Sequence, residues 1–231
     1  METLRDITTV ILCGGQGTRL RAIGGDGAGS PESVPKPLIE IGGKPILWHI
    51  LQLYAAQGCR RFVLCLGHRG ELIRQTLPLE PAWQVAFAET GELTPTGGRV
   101  LAVADLVVGA NFFVTYGDGL ADVDLAALLA FHRRHGQLAT LTAVRPQLPF
   151  GLLRLARNSR VEGFQEKPRL EQWINGGFFV FQRALFERLR PDVALEAAPL
   201  ESLAAEGRLH AFQHRGFWAC MDTYKDQLEL N

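Results

Sequence analysis

At 231 residues the chain has room for one large domain, and a hydrophobic fraction of 47% against a charged fraction of 21% gives it a substantial core. Lysine plus arginine and aspartate plus glutamate balance at 24 each, so no global field draws the protein to nucleic acid or to an anionic membrane. The acidic opening, Met1 to Asp6, followed by a short apolar run, fits neither a signal peptide nor a spanning helix. Four scattered cysteines without a CxxC pair (Cys13, Cys59, Cys65, Cys220) read as the reduced thiols of a cytoplasmic protein and argue against zinc.

In chain order, residues 8–13 form a strand-like apolar run that ends in glycine. A stretch rich in glycine, serine and proline follows over 14–37, a loop long enough to expect function, and its glycines predict that it orders when a ligand binds. Residues 45–57 carry apolar side chains at helical spacing, with proline at the start and Gly58 past the end. Strands are predicted at 61–66, 83–88, 111–116 and 138–144, a polar helix from about 69, and a helix at 124–135 closed by Gly136. This alternation predicts an α/β fold: a Rossmann-like, three-layer, open and mostly parallel sheet with helices on both faces. After residue 150 the apolar runs at 152–155, 160–164 and 176–181 crowd together as antiparallel hairpins would. No linker interrupts the chain, so residues 1–231 read as a single domain with parts 1–150 and 151–231.

Directly after the first strand stands Leu12-Cys13-Gly14-Gly15-Gln16-Gly17-Thr18-Arg19-Leu20. Glycines at 14, 15 and 17 let backbone N–H groups crowd a phosphate chain, Thr18 adds a hydroxyl, and Arg19 offers a fork of donors matched to phosphate oxygens. It is not a P-loop, because the Gly43-Lys44 pair leads into proline rather than serine or threonine. It is not a dinucleotide fingerprint either, since Leu20 stands where the third glycine belongs, which removes a dehydrogenase. Alone, the glycines are equally a tight turn.

The surroundings decide between these. Pro35-Lys36-Pro37 fixes one lysine between two prolines, and Gly43-Lys44-Pro45-Ile46-Leu47 follows. These three segments, in this order, resemble the signature of the sugar-1-phosphate nucleotidyltransferase family. The similarity is greatest to its glucose-1-phosphate cytidylyltransferases, and it continues through Thr96-Gly97-Gly98-Arg99, Thr115-Tyr116-Gly117-Asp118-Gly119, Phe150-Gly151, Glu166-Lys167-Pro168, Asn175-Gly176-Gly177 and Gly216 to Thr223.

The resemblance implies transfer of a nucleotidyl group from a nucleoside triphosphate, CTP in the closest subfamily, to a sugar 1-phosphate, with pyrophosphate released and Mg²⁺ as cofactor. Arg19, Lys36, Asp118, Lys167 and Asp222 would be catalytic, with Asp118 and Asp222 as the metal ligands. Leu12, Gly14, Gly15, Gly17, Thr18, Arg19, Lys36, Thr96, Gly98, Arg99 and Asp118 would bind the nucleotide. Gly151, Glu166, Lys167 and Asn175 would bind the sugar, making 1–150 the nucleotide part and 151–231 the sugar part. A turn aspartate at 118, a helix cap at 222, a surface pair at 166–167 and a helix-opening Arg99 are the plain structural alternatives. A phosphate monoester with a second pKa near ~6 is already dianionic at neutral pH, so the absence of a Ser-His or Cys-His constellation is expected. Rival readings within the class are a guanylyl- or uridylyltransferase for a heptose or amino-sugar 1-phosphate. The rival outside it is a non-catalytic nucleotide-sugar sensor on the same fold. The expected partners are therefore small molecules, with self-association into a homo-oligomer.

Overall fold

The computed structural model describes residues 2–15 and 34–231. Its strands and helices follow in order. β1 (Thr8–Leu12) leads to a 3-10 turn at Lys36–Leu38 and a two-strand ribbon, β2 (Glu40–Ile41) with β3 (Lys44–Pro45). Then come α1 (Ile46–Ala56), β4 (Arg61–Leu66), α2 (Gly70–Thr76), β5 (Gln84–Glu89), α3 (Thr96–Ala102), β6 (Asn111–Tyr116) and β7 (Gly119–Ala121). α4 (Leu125–His135), β8 (Ala139–Val144), β9 (Leu152–Leu155), β10 (Val161–Gln165), β11 (Ile174–Asn175) and β12 (Phe179–Gln182) follow. The chain closes with α5 (Ala198–Ala205), β13 (Leu209–Gln213), β14 (Trp218–Cys220) and α6 (Tyr224–Leu230).

Eight strands form one central sheet. β5, β4, β1 and β6 lie side by side and parallel. β12 then runs antiparallel between β6 and β8, and β13 is parallel to β8. Ala139 and Ala143 of β8 each pair with β13, while β12 and β11 pair with the same two residues, so β11 and β12 share the other edge of β8. The core lies on both faces of the sheet. Ile11, Phe113 and Val180 pack with α1 residues on one face, and Val10, Leu12, Phe112 and Val114 with Val100 of α3 and Leu203 of α5 on the other. A strand covered twice is buried on both sides, which is why Val10-Ile11-Leu12 of β1 run apolar without alternation, behind the buried Thr8 and Thr9. α4 shows the local grammar of its ends: the Asp124 carboxylate accepts from Ala127 N at 2.8 Å, and Gly136 turns left-handed at φ 66° behind a last turn rich in histidine and arginine.

One predicted piece differs. Residues 176–181 do not extend the β9–β10 hairpin; β12 enters the central sheet, with Phe179, Val180 and Phe181 fully buried. Three consecutive large apolar residues have no solvent face, so they suit an interior strand and not an exposed hairpin. Among the described residues no helix is long and apolar enough to cross a membrane.

From β1 the chain steps to β4 and β5 on one side and then crosses to β6 on the other. That reversal opens a crevice at the carboxyl ends of β1 and β6, where open α/β sheets hold their ligands.

Candidate active site

The crevice is a cleft of about 510 Å³. Leu12, Cys13, Gly14 and Gly15 line it from the end of β1, and Tyr116, Gly117 and Asp118 from the end of β6. The two strand ends are tied together where Gly117 N donates to Leu12 O at 3.0 Å.

Lys36 enters from its 3-10 turn. The flanking prolines have no N–H to leave unpaired at the start of that turn, and the turn closes through Leu38 N to Pro35 O at 2.8 Å. The lysine side chain, only 12% exposed, reaches between two carboxylates, with Nζ 2.7 Å from Asp118 and 2.7 Å from Asp222. Burial favours the neutral amine, but the two carboxylates outweigh it and hold the Lys36 pKa above its ordinary value. Antiparallel pairing of β14 with β7 brings the two aspartates together: Cys220 faces Gly119, and Met221 N donates to Asp118 O at 2.9 Å. Asp222 does not cap the last helix. Thr223 is the N-cap and Asp226 completes the capping box, accepting from the backbone N–H of both Asp222 and Thr223, which leaves the Asp222 carboxylate to the cleft.

The same place can hold a metal ion. Ligand atoms of Asp118, Cys220 and Asp222 lie within 4.8 Å of one another, and the Lys36 ammonium already occupies the position of a cation between the two carboxylates. Burial pushes the Cys220 thiol up to about 12, so it is neutral near pH 7 and the donors on offer are carboxylate oxygens. Oxygen donors suit a hard divalent cation.

Arg99 plays a part the sequence did not show. It is 4% exposed and donates to Leu66 O at 2.9 Å, Thr90 Oγ1 at 2.7 Å, Gly14 O at 3.0 Å and Glu92 O at 3.2 Å. One guanidinium thus ties the glycine turn after β1 to the ends of β4 and β5. A Cβ on Gly14 would stand 2.2 Å from Arg99 Nη1, and one on Gly67 2.6 Å away, so both positions need glycine to admit the group. Gly98 turns its open side to Pro191 O, where a Cβ would sit at 2.2 Å, so the Pro191 backbone covers it, and Gly97 faces the backbone of 193–195 in the same way.

A second network runs along the cleft wall. Glu196 accepts from Thr96 Oγ1 at 2.5 Å and from the Tyr116 hydroxyl at 2.6 Å, while Asn175 Nδ2 donates to the Tyr116 oxygen at 3.1 Å. Burial, and then the Glu196 charge, raise the Tyr116 pKa and keep the phenol protonated. Sequence reasoning gave no role to Tyr116 or Glu196. Tyr116 was findable from its place two residues before Asp118, but nothing around Glu196 marks it.

Of the predicted site residues, the cleft gathers Leu12, Gly14, Gly15, Lys36, Thr96, Arg99, Asp118 and Asp222. Asn175 joins through Tyr116. Gly151, Glu166 and Lys167 lie apart, around the β9–β10 hairpin: Gly151 packs against Phe164 and Glu166, and Lys167 is a non-glycine residue at φ 45° whose carbonyl accepts from Gln147 Nε2 at 2.8 Å. Gly17, Thr18 and Arg19, and with them the expected ordering of the glycine-rich loop, lie outside the described residues.

Residues 8–219 match the family model of the nucleotidyl transferases. The chain belongs to that family. It is 39% identical to the probable glucose-1-phosphate cytidylyltransferase of Bacillus subtilis, over 96% of this chain and 94% of that one. It is 40% identical to the glucose-1-phosphate cytidylyltransferase of Salmonella typhimurium, over 96% and 93%. With relatives this similar along nearly its whole length, the nucleotidyltransferase is one of the sugar-1-phosphate enzymes. The crystal structure of HddC from Yersinia pseudotuberculosis shares its fold, with a TM-score of 0.73 at 23% identity and 97% of each chain covered.

Proposed function

We propose that the enzyme transfers the cytidylyl group of CTP to glucose 1-phosphate with the help of Mg²⁺, releasing pyrophosphate and CDP-glucose. The observation that carries the reading is the Lys36 ammonium held between Asp118 and Asp222 at the sheet's switch point. There an ammonium and two hard ligands meet directly beside a glycine turn suited to phosphates.

In this reading Gly14, Gly15, Gly17, Thr18 and Arg19 cradle the triphosphate, and Asp118 and Asp222 hold the ion, which neutralises charge on the phosphates when bound. Lys36 moves from the carboxylates onto the α-phosphate. An oxygen of the sugar phosphate attacks the α-phosphorus in line, a new P–O bond forms, the bond to the β-phosphate oxygen breaks, and pyrophosphate leaves. No proton changes hands, so catalysis consists of positioning and charge stabilisation. Lys167 and Glu166 receive the sugar phosphate and a sugar hydroxyl, with Gly151 and Asn175 beside them, which assigns 151–231 to the sugar and 1–150 to the nucleotide. Thr96 faces the base, while Gly98 and Arg99 support that wall from behind. Similarity to the Bacillus and Salmonella proteins, named for glucose 1-phosphate and cytidylyl transfer, supports CTP and glucose 1-phosphate as the pair. The exposed apolar side chains of β9 and β10 support self-association.

Pyrophosphate release from four nucleoside triphosphates against a panel of sugar 1-phosphates tests the proposal. CTP should exceed UTP, GTP and dTTP in kcat/KM by about tenfold or more. A tenfold preference for UTP or GTP overturns the base assignment, and no release from any pair overturns the reaction.

A further inference from the structure

A second cavity, of about 180 Å³, shares no lining residue with the first. It lies at the carboxyl end of β8 and the turn into β14. β8 runs in the same direction as β6, each being antiparallel to β12, so both cavities open on the same edge of the sheet. Arg145, Arg169 and Arg215 all line it, together with His214. Among the described residues none of these three guanidiniums forms an ion pair, and the carboxylate that touches this wall, Asp122, is paired with His214 at 2.9 Å. Two of the arginines are fixed by one ring: the guanidinium carbon of Arg145 lies 4.3 Å from the Trp173 centroid, and that of Arg215 lies 5.9 Å away.

Three like charges around a small cavity repel one another unless an anion joins them. Guanidinium forks match the oxygens of a tetrahedral phosphate, and stacking on Trp173 sets two of them in place beforehand, so little freedom is lost on binding. The cavity is smaller than the usual 300 Å³ or so of a drug-sized site, so it suits a phosphate group and not a nucleotide.

We infer that this cavity is an accessory oxyanion site, in which Arg145, Arg169 and Arg215 hold the phosphate group of a small molecule. It is wired to the neighbouring turn. Gln147, also in its lining, donates to Lys167 O and bridges to Arg169, so an anion on Arg169 steadies the strained backbone that presents Lys167. Binding at the cavity is independent of the roles proposed for the cleft; only the link to Lys167 rests on that reading.

Titration calorimetry with inorganic phosphate, at constant ionic strength set with chloride, tests the site. A saturable site is expected in wild type that persists in Lys167→Met, whatever phosphate the Lys167 turn itself takes up. The double variant Arg145→Gln/Arg215→Gln should weaken it by about tenfold or more. These arginines are exposed, and an unchanged circular dichroism spectrum will show that the variant folds. Glucose 1-phosphate separates the sources of the phosphate group. A second site for it in wild type, lost with the arginines, identifies an ester, and a single site lost in Lys167→Met identifies free phosphate. The inference is overturned if phosphate does not saturate, if chloride displaces it at equal concentration, or if the arginine variant binds it as tightly as wild type.

Discussion

β1 and β6 present Gly14 and Asp118 from the middle of an eight-stranded sheet, and every residue of β1 is buried. β9 and β10, which flank Gly151, Glu166 and Lys167, pair only with each other, and no residue of either strand is buried. Phe164 is 63% exposed there. Side chains carried by a close-packed sheet cannot shift without disturbing neighbours on both faces, so their geometry is fixed before any ligand arrives. A two-stranded ribbon is marginal alone and can give way locally. The first region should therefore respond to substitution with large losses that spread, the second with small ones that stay local.

The sharpest test of the rigid side is the aspartate pair. Asp118→Asn and Asp222→Asn should each reduce turnover by about a hundred- to a thousand-fold. The double variant should lose little more, because the two act as one unit. Fully multiplicative losses in steady-state kinetics would mean that they do not share a cation.

Lys36→Met comes next, with turnover down by about a hundred-fold. Its second effect is less obvious. Ammonium and divalent ion compete for the same oxygens, so removing the lysine should tighten Mn²⁺ binding in the absence of nucleotide, as read by electron paramagnetic resonance. Weaker Mn²⁺ binding would show that lysine and metal cooperate instead.

Arg99→Ala separates a brace from a base contact. Losing the guanidinium removes four hydrogen bonds and opens a void where the group was buried. Gly14 O keeps His68 N and Leu66 O keeps Thr90, but Glu92 O loses its donor, and together this costs about 2–4 kcal/mol. For a domain of this size that lowers Tm by roughly 4–16 °C. Arg99→Lys should not restore it, since one ammonium cannot reproduce the fork. An unchanged Tm with collapsed selectivity for CTP would return Arg99 to the base.

How far the sequence shows these regions follows from their construction. Lys36 and Asp118 were legible because each ends a local pattern, proline-fixed or strand-terminal, that chemistry explains on its own. The parallel half of the sheet was legible for the same reason, as apolar runs alternating with helical spacing. Arg99 was expected to contact the nucleotide; it lines the cleft, and its four acceptors come from three other segments that only the fold brings near. Glu196 and the three arginines of the second cavity have no local pattern at all. Residues 176–181 misled because spacing shows that strands are close in sequence but not which sheet accepts them.

The smallest expected effect tests the pliant side. A Cβ at Gly151 would stand 2.7 Å from Phe164 Cζ and 3.2 Å from Glu166 Oε2, contacts too close to persist. In the central sheet such a clash would be severe, but the Phe164 ring is mostly in solvent and can swing aside. Gly151→Ala should therefore change stability by no more than about 0.5 kcal/mol. The displaced Glu166 would still lie slightly out of place for a sugar hydroxyl, and a small misplacement at a positioned contact is felt in the rate. The KM for sugar 1-phosphate should rise roughly threefold to tenfold. The KM for the triphosphate should hold, because the cleft between β1 and β6 touches neither residue. Initial rates with each substrate varied in turn, alongside a thermal melt, measure all three quantities. If Tm falls by several degrees, or both KM values rise together, the hairpin is coupled to the sheet and the contrast between the two regions is lost.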